Sequence, residues 1–126
     1  MARVSIVNYN GNILLDKFVI PDGHVTDYRT WVSGVTPNNL KLSNGAIPFK
    51  EAKAIAHKLL KGKIVCGHSI KHDFDVLELN ETDVPKEQIR DLIRFRKYQN
   101  ASINGIAAHG AKSLKKLSGE FLGTKI

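Results

Sequence analysis

Residues 67–77 read GHSIKHDFDVL and place His68, His72 and Asp73 within a few positions of one another, directly after the apolar run Ile64-Val65-Cys66. Residues of these types can ligate a metal, exchange protons, or form the polar start of a helix. Zinc fits poorly. On a helix His68 and His72 would share a face, as in His-Glu-x-x-His sites, but Ser69 stands where the glutamate belongs. Gly67-His68 also reads as turn rather than helix, and Asp73 would point about 100° away from His72. A hard cation suits the stretch better, because Mg²⁺ takes one or two carboxylates together with water and substrate phosphate. Asp73 falls in the first turn of a helix after a buried strand, where the helix dipole favours a negative charge. The same placement also describes an ordinary helix-start aspartate, so both readings stand at this point.

The elements that must position these residues can be read along the chain. RVSIVNY and NILLDKFVI are rich in β-branched and apolar residues, and Asn10-Gly11 between them suits a type I′ hairpin turn. Pro21-Asp22-Gly23 ends the second strand. A polar loop, HVTDYRTWVSGVTPNNLK, follows, in which Thr36-Pro37 can cap a short helical turn. From Pro48 to about Lys61 the residues Phe49, Ala52, Ile55, Ala56, Leu59 and Leu60 recur at helical spacing, and Gly62 stops the helix. KIVCG is short, without polar alternation, and reads as a buried parallel strand. The quoted stretch then opens a second helix carrying Phe74, Leu77 and Leu79. IRDLIRF reads as a strand, and SLKKLSGEFLG as a last helix with Ser113 as N-cap, Leu114, Leu117 and Phe121 as its apolar face and Gly123 beyond its end. The order β-β-α-β-α-β-α predicts an α/β fold with a mixed sheet, and sites in such folds lie beyond the carboxyl ends of the parallel strands.

Composition limits the function. A chain of 126 residues with 42% hydrophobic and 25% charged residues is expected to form one globular domain spanning residues 1–126. Nineteen Lys and Arg against twelve Asp and Glu give a net charge of +7, and the pI is about 9.6, which favours a polyanionic partner. Arg90, Arg94, Arg96 and Lys97 cluster on one segment, and Lys112, Lys115 and Lys116 on the next. Cys66 is the single cysteine, so no intrachain disulfide forms and a reducing compartment is expected. No apolar stretch approaches the ~18 residues of a membrane helix, so no membrane partner is expected.

Gly67-His68 followed by Asp73-Phe74 resembles the second motif of the DEDDh 3′–5′ exonucleases, in the RNA exonuclease 4 / interferon-stimulated exonuclease branch. ARVSIVN, DKFV, VTDYRT, VSG, PF with its helix, LLKGKIV, RD and SLKKL resemble that branch in the same order and cover nearly the whole chain. The resemblance implies an RNase H-like mixed sheet with an N-terminal antiparallel hairpin, and removal of nucleotides from the 3′ end of single-stranded RNA or of single-stranded DNA. It implies two divalent ions, Mg²⁺ or Mn²⁺, held by four carboxylates, with a histidine as general base. Asp73 would be a catalytic metal carboxylate, and His72 would lie beside the terminal sugar. Gly67-His68 would belong to the same substrate-binding stretch, and Arg29 would reach the substrate backbone. Bland alternatives remain, with Arg29 paired to Asp27 and His72 an exposed helix residue. Nuclear or nucleolar residence, ribosomal RNA processing and ribosome-assembly partners follow from the branch alone.

The chain departs from the branch at both ends. The first motif, Asp-x-Glu, would precede ARVSIVN, where the chain has Met1-Ala2-Arg3. The third, His-x4-Asp, would follow Thr124-Lys125-Ile126. His109 precedes the last helix and does not substitute. Ile47 stands where a capping Thr would be natural, and Leu92 where the branch tends to have Thr. The expectation is therefore an incomplete fold lacking the first strand and the C-terminal helix, and inactive by itself. Either a gap or a direct pairing of RVSIVN with KIVC would mark the absent central strand. The second function class is a basic module that binds RNA without chemistry.

Overall fold

The computed structural model describes residues 1–100 and 110–126; the end of the basic loop that contains His109 lies outside the described residues. Strands β1 (Arg3–Val7) and β2 (Ile13–Ile20) form the hairpin, with Arg3 opposite Phe18 and Ser5 opposite Asp16. Alternation sends Val4, Leu15 and Val19 into the core. Arg3 reaches diagonally to Asp16, its Nε and Nη2 each donating to the carboxylate at 2.9 Å, so one ion pair fixes the register on the polar face. The turn is not type I′. Gly11 alone has a positive φ, at 82°. The Asn8 carboxamide oxygen accepts from the amides of Asn10 (3.0 Å) and Asn12 (2.9 Å), which stabilises a wider turn and shifts the register between Ile6 and Val7.

The loop after β2 carries a single helical turn, α1 (Thr30–Ser33), and a 3₁₀ turn at Pro37–Leu40 capped by Thr36 as the sequence predicts. Strand β3 (Ile47–Pro48) pairs parallel to the end of β2. Helix α2 (Phe49–Leu60) follows Pro48 with no side-chain cap bond. Strand β4 (Val65–Gly67), helix α3 (Lys71–Leu77) and strand β5 (Ile89–Asp91) follow, and β4 pairs parallel to β5. The expected strand IRDLIRF ends early, because the Asp91 carboxylate accepts from the amide of Ile93 and bends the chain into a 3₁₀ turn, Leu92–Arg94. The last helix is also shorter than its pattern. A single turn, α4 (Leu114–Leu117), opens at the Ser113 cap and widens into a π-type turn through Leu122. Of its expected apolar face, Leu117 is buried while Leu114 and Phe121 are exposed.

Among the described residues the strands form two separate sheets, β1-β2-β3 and β4-β5, and β1 and β4 exchange no hydrogen bonds. Of the two alternatives, the gap is what forms. The structure also corrects the reading of KIVCG as wholly buried. Val65 is buried, but Ile64 and Cys66, which alternation sends to the opposite face of the strand, are exposed. Helix α2 joins the two halves. Ala52 packs with Val4, Leu15 and Val19, whereas Ala56 packs with Leu77 and Leu79, and Leu60 continues toward Val65, Ile70 and Val84.

The register ion pair predicts an acid sensitivity. The hydrogen bond from Arg3 holds the Asp16 carboxyl below its ordinary value, so folded Asp16 binds fewer protons than the unfolded chain at about pH 4. The stability it contributes is fully present above that pH and is lost as pH falls through the depressed value. Asp16→Asn should therefore flatten the acid limb of denaturant stability measured against pH, and an unchanged limb would show that the pair contributes nothing.

Candidate functional site

The gap between the sheets is a cleft of about 800 Å³, walled by β1 on one side and by Val65, Cys66 and Gly67 of β4 on the other. Leu60, Phe74 and Leu77 line it from α2 and α3, and His68 and Asp73 bring polar groups to it. It runs alongside β4, and His68 and Asp73 stand at its end beyond the carboxyl terminus of that strand, where an α/β fold places its sites.

The local sequence sets the shape of this end. After Gly67 the chain turns through Ser69, whose φ of 59° lies in the left-handed region, and enters α3 through Ile70. A Cβ on Gly67 would collide with the Ile70 side chain, so the turn closes only with glycine. Asp91 holds the turn from the neighbouring strand. Its carboxylate is 4% exposed and accepts from the amides of Ser69 (2.8 Å) and Ile70 (3.1 Å) as well as Ile93 (3.2 Å). Three amide donors satisfy a buried charge that would otherwise be costly. A second tie comes from His68, whose Nε2–H donates to the Lys112 carbonyl at 2.8 Å. That bond fixes the tautomer and leaves only Nδ1 of His68 for other work.

Asp73 is exposed in the first turn of α3, and no ion pair or hydrogen bond of its carboxylate occurs among the described residues. His72 is exposed on the same helix but does not line the cleft. Arg29 does not line it either. It caps α1 at a φ of 44°, and its amide, not its guanidinium, meets Asp27, at 2.8 Å. The structure thus brings His68 and Asp73 to one cleft and leaves His72 and Arg29 outside its walls. Part of the expected basic face is internally engaged. Lys112 pairs with Glu120 at 2.5 Å, Lys97 lies over the Phe121 ring at 5.1 Å, and an Arg90 guanidinium nitrogen donates to the Glu87 carbonyl at 2.6 Å.

Among the described residues no group of three or more His, Cys, Asp or Glu side chains could hold a metal ion. Among the described residues Asp73 is the one carboxylate on the cleft wall. This donor set does not fit the pair of divalent ions that the resemblance implies.

Asp91 escaped the sequence reading, which took it for part of a strand. The signal was there, since an aspartate inside an apolar strand pattern needs partners wherever it is buried. Asp91→Ala strips three amides of their acceptor and should cost about 2–4 kcal/mol of stability in chemical denaturation. Asp91→Asn should recover only part of the loss, because its amide oxygen still accepts while its NH₂ would face an amide donor. An Asp91→Ala protein as stable as the parent would mean that water replaces the carboxylate.

No family model matches the chain. Curated relatives do. RNA exonuclease 4 of Debaryomyces hansenii is 48% identical over 122 residues, 97% of this chain and 41% of that protein. RNA exonuclease 4 of Saccharomyces cerevisiae is 42% identical over 122 residues, 97% of this chain and 39% of its own length. The interferon-stimulated gene 20 kDa protein of Mus musculus is 50% identical over 91 residues, 72% of this chain and 28% of that protein. The chain therefore spans about two fifths of the length of the RNA exonuclease 4 relatives. Among solved structures, the Neurospora crassa Pan2 catalytic unit (protease and nuclease domain) superposes with a TM-score of 0.77 at 24% identity, covering 99% of this chain and 20% of that one. That likeness is one of fold, and it identifies the mixed α/β arrangement as RNase H-like. From the collinear identity with the curated relatives, together with this fold, the chain belongs to the RNA exonuclease 4 branch of the DEDDh 3′–5′ exonuclease family.

Proposed function

We propose that the chain is the central portion of a 3′–5′ exoribonuclease domain that removes nucleotides from RNA 3′ ends. The observation that carries this reading is Asp73, which a glycine-dependent turn and a buried carboxylate hold on the cleft wall, within a sequence 48% identical to a named RNA exonuclease over nearly its whole length. In a complete domain Asp73 would be one of several metal carboxylates, with Mg²⁺ or Mn²⁺ as the ion. His68 belongs to the substrate-binding stretch on the cleft wall while it braces the turn, and His72 and Arg29 meet the sugar and phosphate of substrate that extends beyond the cleft. The substrate is single-stranded RNA or single-stranded DNA. The setting is ribosomal RNA processing in the nucleus or nucleolus, beside ribosome-assembly factors.

One carboxylate does not hold two ions about 4 Å apart, so the chain by itself should leave 3′-labelled RNA intact. A second reading, a basic module that binds RNA without cutting it, draws on the +7 charge and on the single cleft carboxylate. The two readings separate in a longer protein carrying an Asp-x-Glu strand before residue 1 and a His-x4-Asp helix after residue 126. Under the exonuclease reading this protein releases mononucleotides stepwise. Asp73→Asn, which keeps shape and removes charge, should then lower turnover on the order of 1000-fold or more. Near-full activity of Asp73→Asn would return Asp73 to the role of a helix-start charge, and an extended protein that binds RNA but releases nothing would favour the binding module.

A further inference from the structure

The loop between β2 and β3 presents a feature that neither the core nor the cleft explains. Trp31 is the only tryptophan of the chain and is 88% exposed. Tryptophan carries one of the largest apolar surfaces of any side chain and is on average highly buried. Here the indole stands in water on a closely braced turn. The Thr30 hydroxyl donates to the Val35 carbonyl at 2.6 Å, and the Ser33 hydroxyl donates to the Tyr28 carbonyl at 2.8 Å while accepting from the Val35 amide at 3.0 Å. The amide of Gly34 bonds the Thr30 carbonyl at 2.8 Å. Val35, 5% exposed, anchors the turn in the protein. The indole is thus presented by a fixed scaffold, so little order has to be gained when something binds it.

Two residues before it stands Arg29, also exposed. No ion pair involves its guanidinium among the described residues. An exposed aromatic ring and an exposed cation two residues apart on one braced turn, on a protein of charge +7, are the combination that holds single-stranded nucleic acid. Bases stack on the ring and the backbone phosphate meets the guanidinium. We infer that Trp31 is a base-stacking platform for single-stranded RNA, with Arg29 holding the phosphate of the same or the adjoining nucleotide. This inference rests on the proposal that the chain handles single-stranded RNA, and it adds a contact outside the cleft that does not depend on base identity.

The single tryptophan makes the test direct. Intrinsic emission of the full chain is followed while a short oligoadenylate is added, with binding read separately by anisotropy of a labelled copy. Inorganic polyphosphate serves as a polyanion without bases. Stacking should quench Trp31 emission with the oligoadenylate and leave it unchanged with polyphosphate. Trp31→Ala should weaken oligoadenylate binding by about 5- to 100-fold with polyphosphate binding unaltered, and Trp31→Phe should restore most of the loss. Arg29→Ala should weaken both ligands. Because the indole is exposed, thermal melting of Trp31→Ala should match the parent, which separates lost contact from lost fold. Oligoadenylate bound with no quenching and no effect of Trp31→Ala overturns the platform while leaving the RNA reading intact. No binding of oligoadenylate at low salt overturns both.

Discussion

Two sheets that exchange no backbone hydrogen bond among the described residues stay side by side because one helix packs against both. Ala52 and Ala56, both fully buried, sit one turn apart on α2. Their small size lets the hairpin approach on one side and α3 on the other. A larger residue in place of Ala52 would push the hairpin outward and one in place of Ala56 would push α3, since close-packed interiors do not absorb added volume cheaply. With no ladder of strand hydrogen bonds to fix the distance between the walls, the cleft takes its geometry from this shared helix and from Met1 and Ile6, which pack against both clusters.

Within that frame the site end is fixed by polar bonds. Asp91 joins β5 to the turn before α3, and His68 joins the same turn to the backbone at Lys112. The segment that presents Asp73 is therefore tied to two later parts of the chain, while the carboxylate itself stays exposed. A rigid support beneath an open ligand is the arrangement that binding and catalysis require, since the ordering cost is met on folding. Residues that support and residues that face outward are different residues here, and the histidine nearest the cleft belongs to the first group.

Much of the architecture was legible in the sequence. The α2 face, the Thr36 and Ser113 caps and the parallel pairing of KIVC all follow local rules of spacing and capping, and the structure shows each of them. The departures occur where a single side chain overrides the local pattern. Asn8 recruits two amides and changes the hairpin turn, and Asp91 recruits Ile93 and ends a strand that apolar spacing alone would extend. Neither bond can be read from periodicity, because each depends on where a side-chain oxygen points. At the site, the turn at Gly67-His68 and the helix start at Asp73 were legible from residue type and order, whereas a metal role for Asp73 came from the resemblance alone. That Arg29 and His72 fall outside the cleft walls depends on tertiary placement, which spacing does not encode.

Cys66 gives the cleft a chemical consequence. It is the chain's only thiol, it is exposed, and it lies on the cleft wall between Val65 and Gly67. Alkylation needs an accessible thiolate, so the rate of its reaction with a maleimide reports how open that wall is. Any segment or ligand that fills the gap would slow the reaction without altering the chemistry elsewhere. The molecule thus carries its own occupancy gauge at the place where its two sheets fail to meet.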